Sequence, residues 1–197
     1  MTEFAGQARP RSAEGLARAA TLIGCEAAAL RAVVQVEAAG GGFDRLGRPK
    51  LLFEPHVFHR LLAPPLRARA TAAGLAYPRW GEQPYPRDSY PRLIGAIALD
   101  RTAALKAASW GLPQILGTNH GPAGYANVEA MVEAFMEGED EQLAGMASFI
   151  AAHPAMRGAL CRRDWAAFAR AYNGPGYARH AYDARLAAAY GKARGQA

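Results

Sequence analysis

Apolar residues recur at the three-and-four spacing of an α-helix through most of the chain, and this period divides the sequence into a succession of short helices. Ser12 is placed to cap a first helix running through about Leu22, and Gly24 separates it from a second that ends at Glu37. On the second helix Leu30, Val33, Val34 and Glu37 share one face. Three of them are aliphatic and the fourth is an acid. Beyond Gly40-Gly41-Gly42, residues 43–49 read as a turn and Leu51-Leu52-Phe53 as the strand of a small hairpin. Glu54-Pro55 ends that strand, and a short helix from His56 to Leu62 is predicted before Pro64-Pro65.

The helical pattern breaks between Ala76 and Pro91. Four prolines with Tyr77, Trp80, Tyr85 and Tyr90 predict an irregular surface segment there, one wall of a groove. Helical spacing returns from Leu93 to Ala108, with Leu93, Ile94, Ile97, Ala104 and Ala108 on one side, until Gly111-Leu112-Pro113 interrupts it. Asn127 opens a helix carrying Val128, Met131, Val132 and Phe135, and Gly138 divides it from another bearing Leu143, Met146, Phe149 and Ile150. Asp164 is an N-cap for a helix holding Trp165, Phe168 and Tyr172, closed by Asn173-Gly174. A last helix is predicted from Tyr177 to about Tyr190. Residues 1–11 read as a flexible arm and residues 12–197 as one mainly α domain with a small β-hairpin.

Composition narrows the class. The 197 residues are 51% hydrophobic and 20% charged, the balance of a globular domain with one full-sized core. No apolar run approaches the roughly 20 residues that cross a bilayer. Residues 1–7 lack the basic start and apolar stretch of a secretory signal, so a protein made and kept in a cytoplasm, unless something else lets it out, is expected. Cys25 and Cys161 are too few for a disulfide framework and fit no zinc spacing. His56 and His59 lack the Glu and third ligand of a metalloprotease motif, so neither metal nor cofactor is expected. The net charge of +6 implies an anionic partner. Nucleic acid, an anionic membrane face such as an outer membrane, and an acidic cell-wall polymer all fit that charge; the arginines are scattered and no nucleic-acid motif accompanies them, so no nucleic-acid partner is expected.

Glu37 is the first candidate for chemistry, and a helix-terminal Glu that turns to solvent or pairs with an Arg is the alternative reading of its position. Desolvation by its aliphatic neighbours and the negative end of the helix dipole both raise a carboxyl's pKa, and a carboxyl kept protonated near neutral pH can act as a general acid. Three segments fit around it: Val36-Glu37-Ala38-Ala39-Gly40-Gly41-Gly42-Phe43, Ser109-Trp110-Gly111-Leu112-Pro113-Gln114-Ile115-Leu116-Gly117, and Ala171-Tyr172-Asn173-Gly174. Together they resemble the lysozyme-like superfamily. With Gly47-Arg48-Pro49 and Leu51-Leu52-Phe53-Glu54-Pro55-His56-Val57-Phe58 added, the chain from about residue 20 to 190 resembles the N-acetylmuramidase family of phage endolysins.

The resemblance implies a lysozyme-like fold that cleaves the bond from N-acetylmuramic acid to N-acetylglucosamine in peptidoglycan. It makes Glu37 the acid, the Gly-Leu-Pro-Gln segment a wall of the sugar cleft, and Tyr172-Asn173 the support of Glu37. Trp110 and Tyr172 would offer ring faces to sugars, with Gln114 and Asn173 as hydrogen-bonding groups. The resemblance also implies accumulation in the host cytoplasm until release to the periplasm or cell wall, and a monomer acting on glycan strands. For a second carboxylate Glu54 is the first candidate, paired with substrate or else with Arg48 or His56, and Asp44 the second. Water positioned by Gln114 and Asn173, or the substrate's acetamido group, is the alternative. Hydrolysis, lytic transglycosylation and a non-catalytic basic binding module all remain open on sequence.

Overall fold

In the computed structural model, which describes residues 3–37, 41–174, 178 and 181–195, the helices gather into two cores. The first core begins with α1 (Ala13–Ile23), where Ser12 accepts a hydrogen bond from the Gly15 N–H. Gly24 ends α1 at a φ of 78°, its N–H bonded to the carbonyls of Ala20 and Thr21. α2 (Ala27–Glu37) then crosses toward the chain's last helices. It packs most extensively on α11 (Tyr182–Arg194), while α8 (Glu139–Ala151) packs on α1. α9 (Pro154–Arg162) and α10 (Trp165–Asn173) close this core around Ile23, Leu30, Val33, Met146, Phe168 and Leu186.

The second core lies beneath a three-stranded antiparallel sheet, β1 (Leu51–Phe53), β2 (Ala108–Trp110) and β3 (Ile115–Leu116), in that spatial order. α3 (Pro55–Leu61), α4 (Pro64–Ala72), α5 (Tyr90–Ile97), α6 (Arg101–Lys106) and α7 (Val128–Glu137) surround it. Phe53, Phe58, Leu93, Leu105, Trp110 and Phe135 fill it. Phe149 packs against both cores, and Leu112 inserts into the first from a loop of the second.

The mainly helical, lysozyme-like architecture with a small sheet agrees with the expectation from sequence, but several details differ. β1 does not form a hairpin with residues 43–49. Its partner is β2, with Leu51 opposite Trp110 and Phe53 opposite Ala108; the preceding turn contributes a lone bridge from Phe43 to Pro49. The helix predicted from Leu93 to Ala108 is two helices, because Asp100 caps α6 by accepting from Ala103 N–H, and Ala108 belongs to a strand. Ile94 is 54% exposed.

The expected flexible arm is instead a docked strap over residues 3–11. Phe4 is buried against Tyr90 and Trp110, and the N–H groups of Ala8 and Arg9 bond to the carbonyls of Met136 and Glu137. The start of the last helix, placed at Tyr177, lies outside the described residues. Its described part extends to Arg194. Among the described residues no single helix is long and apolar enough to cross a membrane.

Candidate active site

Glu37 occupies the last position of α2, where the helix meets the border between the two cores. The remaining length of the helix buries Leu30, Val33 and Val34 completely or nearly so, and Glu37 is half-buried. Asn173, the last residue of α10, donates from Nδ2 to Glu37 Oε1 at 3.0 Å. Burial pushes the Glu37 carboxyl above the ordinary glutamate range, and the Asn173 hydrogen bond and the Arg185 cation oppose the shift only in part. Arg185 is held near it by a bond from its guanidinium to the Val36 carbonyl.

Two buried side chains on α8 shape the loops in front of Glu37. Gln142, fully buried, accepts from the Leu112 N–H at 2.6 Å and donates to the Phe135 carbonyl at 2.9 Å. Its amide leaves room only for glycines: a Cβ on Gly42 would stand 2.0 Å from the Gln142 oxygen, and one on Gly111 2.7 Å from its Cδ. Gly111 also has a φ of +66°. Glu139 accepts from the Gly42 N–H through one oxygen and from Arg11 through the other, tying the strap to the glycine loop. Tyr172 donates to the Pro113 carbonyl at 3.0 Å and stacks on Phe168, so α10 holds the 111–114 loop as well as Glu37.

The loops and the sheet enclose a cavity of about 520 Å³ lined by Glu37, Gly41, Asp44, Leu52, Leu112 and Gln114, among others. Asp44 is the second carboxyl in that lining. Burial by itself would raise it, but the backbone and side-chain hydrogen bonds from Arg48, with the Leu46 N–H, outweigh burial and hold it below the usual aspartate range. One cavity therefore contains a carboxyl pushed toward its protonated form and one held in its ionised form. A second cavity of about 810 Å³ shares Asp44, Lys50 and Arg87 with the first.

Of the residues predicted from sequence, the structure brings Glu37, Gln114 and Asn173 together at the cavity. Gln114 is exposed there, its amide bonded to the Gly111 carbonyl at 2.7 Å. Asn173 reaches Glu37 directly. Trp110 does not offer a ring to the cleft: it is fully buried, and its Nε1–H donates to the Leu105 carbonyl at 3.0 Å. It faces the second core because Ser109 and Trp110 alternate across a strand, which a glycine-bounded loop would not impose. Tyr172 buttresses the 111–114 loop and is not among the side chains lining the cavity.

Glu54 lies outside the cavity lining, beyond the far end of β1. There Tyr85 donates to it and His56 Nδ1 stands 3.3 Å away, so it orders the entry to α3. Gln142, Glu139, Arg185 and Arg87 were not identified from sequence; a buried Gln or Glu on an amphipathic helix is the signal that points to the first two. Among the described residues no three of His, Cys, Asp or Glu converge as a metal-binding group.

Comparison with known proteins agrees with this geometry. Burkholderia AP3 phage endolysin, known from a crystal structure, superposes with a TM-score of 0.87 at 36% sequence identity, over 94% of this chain and 72% of the other. No curated protein matches the sequence. The N-acetylmuramidase (Muramidase) family model matches residues 26–194. That match spans most of the chain and includes the residues that line the cavity, and the protein belongs to the N-acetylmuramidase family.

Proposed function

We propose that the protein is a bacteriolytic, peptidoglycan-degrading enzyme that cleaves the β-1,4 bond between N-acetylmuramic acid and N-acetylglucosamine, with Glu37 as general acid. The observation that carries this reading is the state of Glu37. Its Oε1 accepts from Asn173 and burial favours the protonated carboxyl, so Oε2 is the atom left to deliver a proton to a glycosidic oxygen. Asp44, ionised in the same cavity, stabilises the positive charge that develops at the anomeric carbon. The family match and the endolysin likeness support peptidoglycan as the substrate. The surplus of positive charge suits an anionic wall.

Replacing Glu37 by Gln tests the assignment. Turnover of purified peptidoglycan should fall by roughly 10²–10⁴ while the circular dichroism spectrum is unchanged. Mass spectrometry of the wild-type digest decides the product: a reducing end at muramic acid marks hydrolysis, and intact glycan with cut peptides would sink the proposal. A second outcome, lytic transglycosylation, is open to the same residues. Both Asp44 oxygens already accept hydrogen bonds, which leaves Glu37, ionised once its proton has passed to the leaving oxygen, as the base: it can take a proton from water, giving hydrolysis, or from the muramic acid C6 hydroxyl, closing an anhydro ring. An anhydro product would establish that outcome.

A further inference from the structure

The 810 Å³ cavity joined to the Glu37 cleft has a chemistry that a neutral glycan does not explain. Its lining holds the basic side chains Arg45, Arg48, Lys50 and Arg87 against the carboxylates Asp44 and Asp88. Arg48 stands 2.7 Å from Asp44 and 3.3 Å from Asp88, so one guanidinium serves both acids. Arg45 and Arg87 are exposed and make no hydrogen bond or ion pair among the described residues. Phe43 and Leu46 add apolar surface to the same wall, and Leu46 is 59% exposed. The cavity is thus positive on balance and partly oily, and Asp44, Lys50 and Arg87 make it continuous with the place of cleavage.

We infer that this cavity is a subsite for the peptide stem carried by muramic acid, with Arg45 and Arg87 receiving its carboxylates. The inference rests on the muramidase reading above. A stem is attached through the lactyl ether to the sugar whose bond is cut, so a ligand reaching from the Glu37 cavity into the basic one follows that attachment. Its free carboxylates match the two unpartnered guanidinium groups, which bind carboxylates through paired N–H donors. Its alanyl methyl groups match Phe43 and Leu46. A membrane phospholipid would also be drawn to positive charge, but it is not joined to the scissile sugar.

The test compares kcat/KM on three soluble glycans of equal length: one with peptide stems, one with the stem carboxylates amidated, and one stripped of peptide. The wild type should prefer the carboxylate stems over the other two. In Arg45→Ala/Arg87→Ala that preference should shrink about tenfold through KM, because an exposed ion pair contributes a factor of roughly two to five and two are removed. A preference untouched by the double substitution overturns the subsite. So does an equal loss on carboxylate and amidated stems, which would make shape rather than charge the determinant. Lost retention on anionic phospholipid vesicles with an unchanged preference would likewise overturn it, and assign the patch to lipid. Failure of the underlying muramidase reading is separately visible, since the wild type would then cut none of the three.

Discussion

Glu37 and Asp44 share a cavity, yet their neighbours drive them in opposite directions, and the signs have measurable effects on stability. An unfolded glutamate loses its proton near pH 4.5, whereas folded Glu37 keeps it to higher pH. Between those points the native state binds a proton that the unfolded chain does not, so this group destabilises the fold progressively as pH rises through the window. Glu37→Gln should melt at a higher temperature than the wild type at pH 7, with the gap closing below about pH 4. Asp44 has the reverse sign: its stabilisation is present above pH 3.8 and is lost as pH falls through its depressed pKa. Activity has its own pH limb. Arg185 favours the ionised form of Glu37, so Arg185→Gln should move the alkaline limb of the pH–rate profile to higher pH, read from kcat on peptidoglycan between pH 4 and 9.

At the scale of elements, the loops that line the cavity are positioned by α8, a helix that contributes no side chain to that lining. Gln142→Leu would leave the Leu112 N–H and the Phe135 carbonyl without partners, at a cost of about 1–3 kcal/mol for each buried group. The substitution should lower the urea midpoint and reduce kcat more than it raises KM. Elements marked by local chemistry were legible in the sequence: the caps at Ser12, Asn127 and Asp164, the glycine stops at Gly24 and Gly174, and Glu37 itself on an aliphatic stripe. What depended on distant pairing was not. β1 finds its partner 57 residues downstream of Leu52, at Ser109, and no local pattern announces that register. The burial of Trp110 and the displacement of Glu54 from the cleft both follow from it. α4 begins at Pro64, and there proline starts a helix where the linear pattern suggested a break.

For the whole molecule, the active site is a seam between two cores, with Glu37 and Asn173 from one and Asp44, Gln114 and the sheet from the other. The strap over residues 3–11 belongs to the machinery that fixes this seam, since Phe4 packs on Trp110 and Arg11 meets Glu139 behind the glycine loop. Phe4→Ala should cost about 3 kcal/mol or more in denaturant unfolding. Chain order adds a consequence. The helix bearing Glu37 is made before its main packing partner α11 and before its hydrogen-bond donor Asn173, which lies 136 residues further along. A chain emerging from the ribosome therefore displays Glu37 without a finished pocket until α10 and α11 have followed. On the proposed function, a product truncated before residue 173 should leave peptidoglycan uncut, which a turbidity assay on purified walls would read.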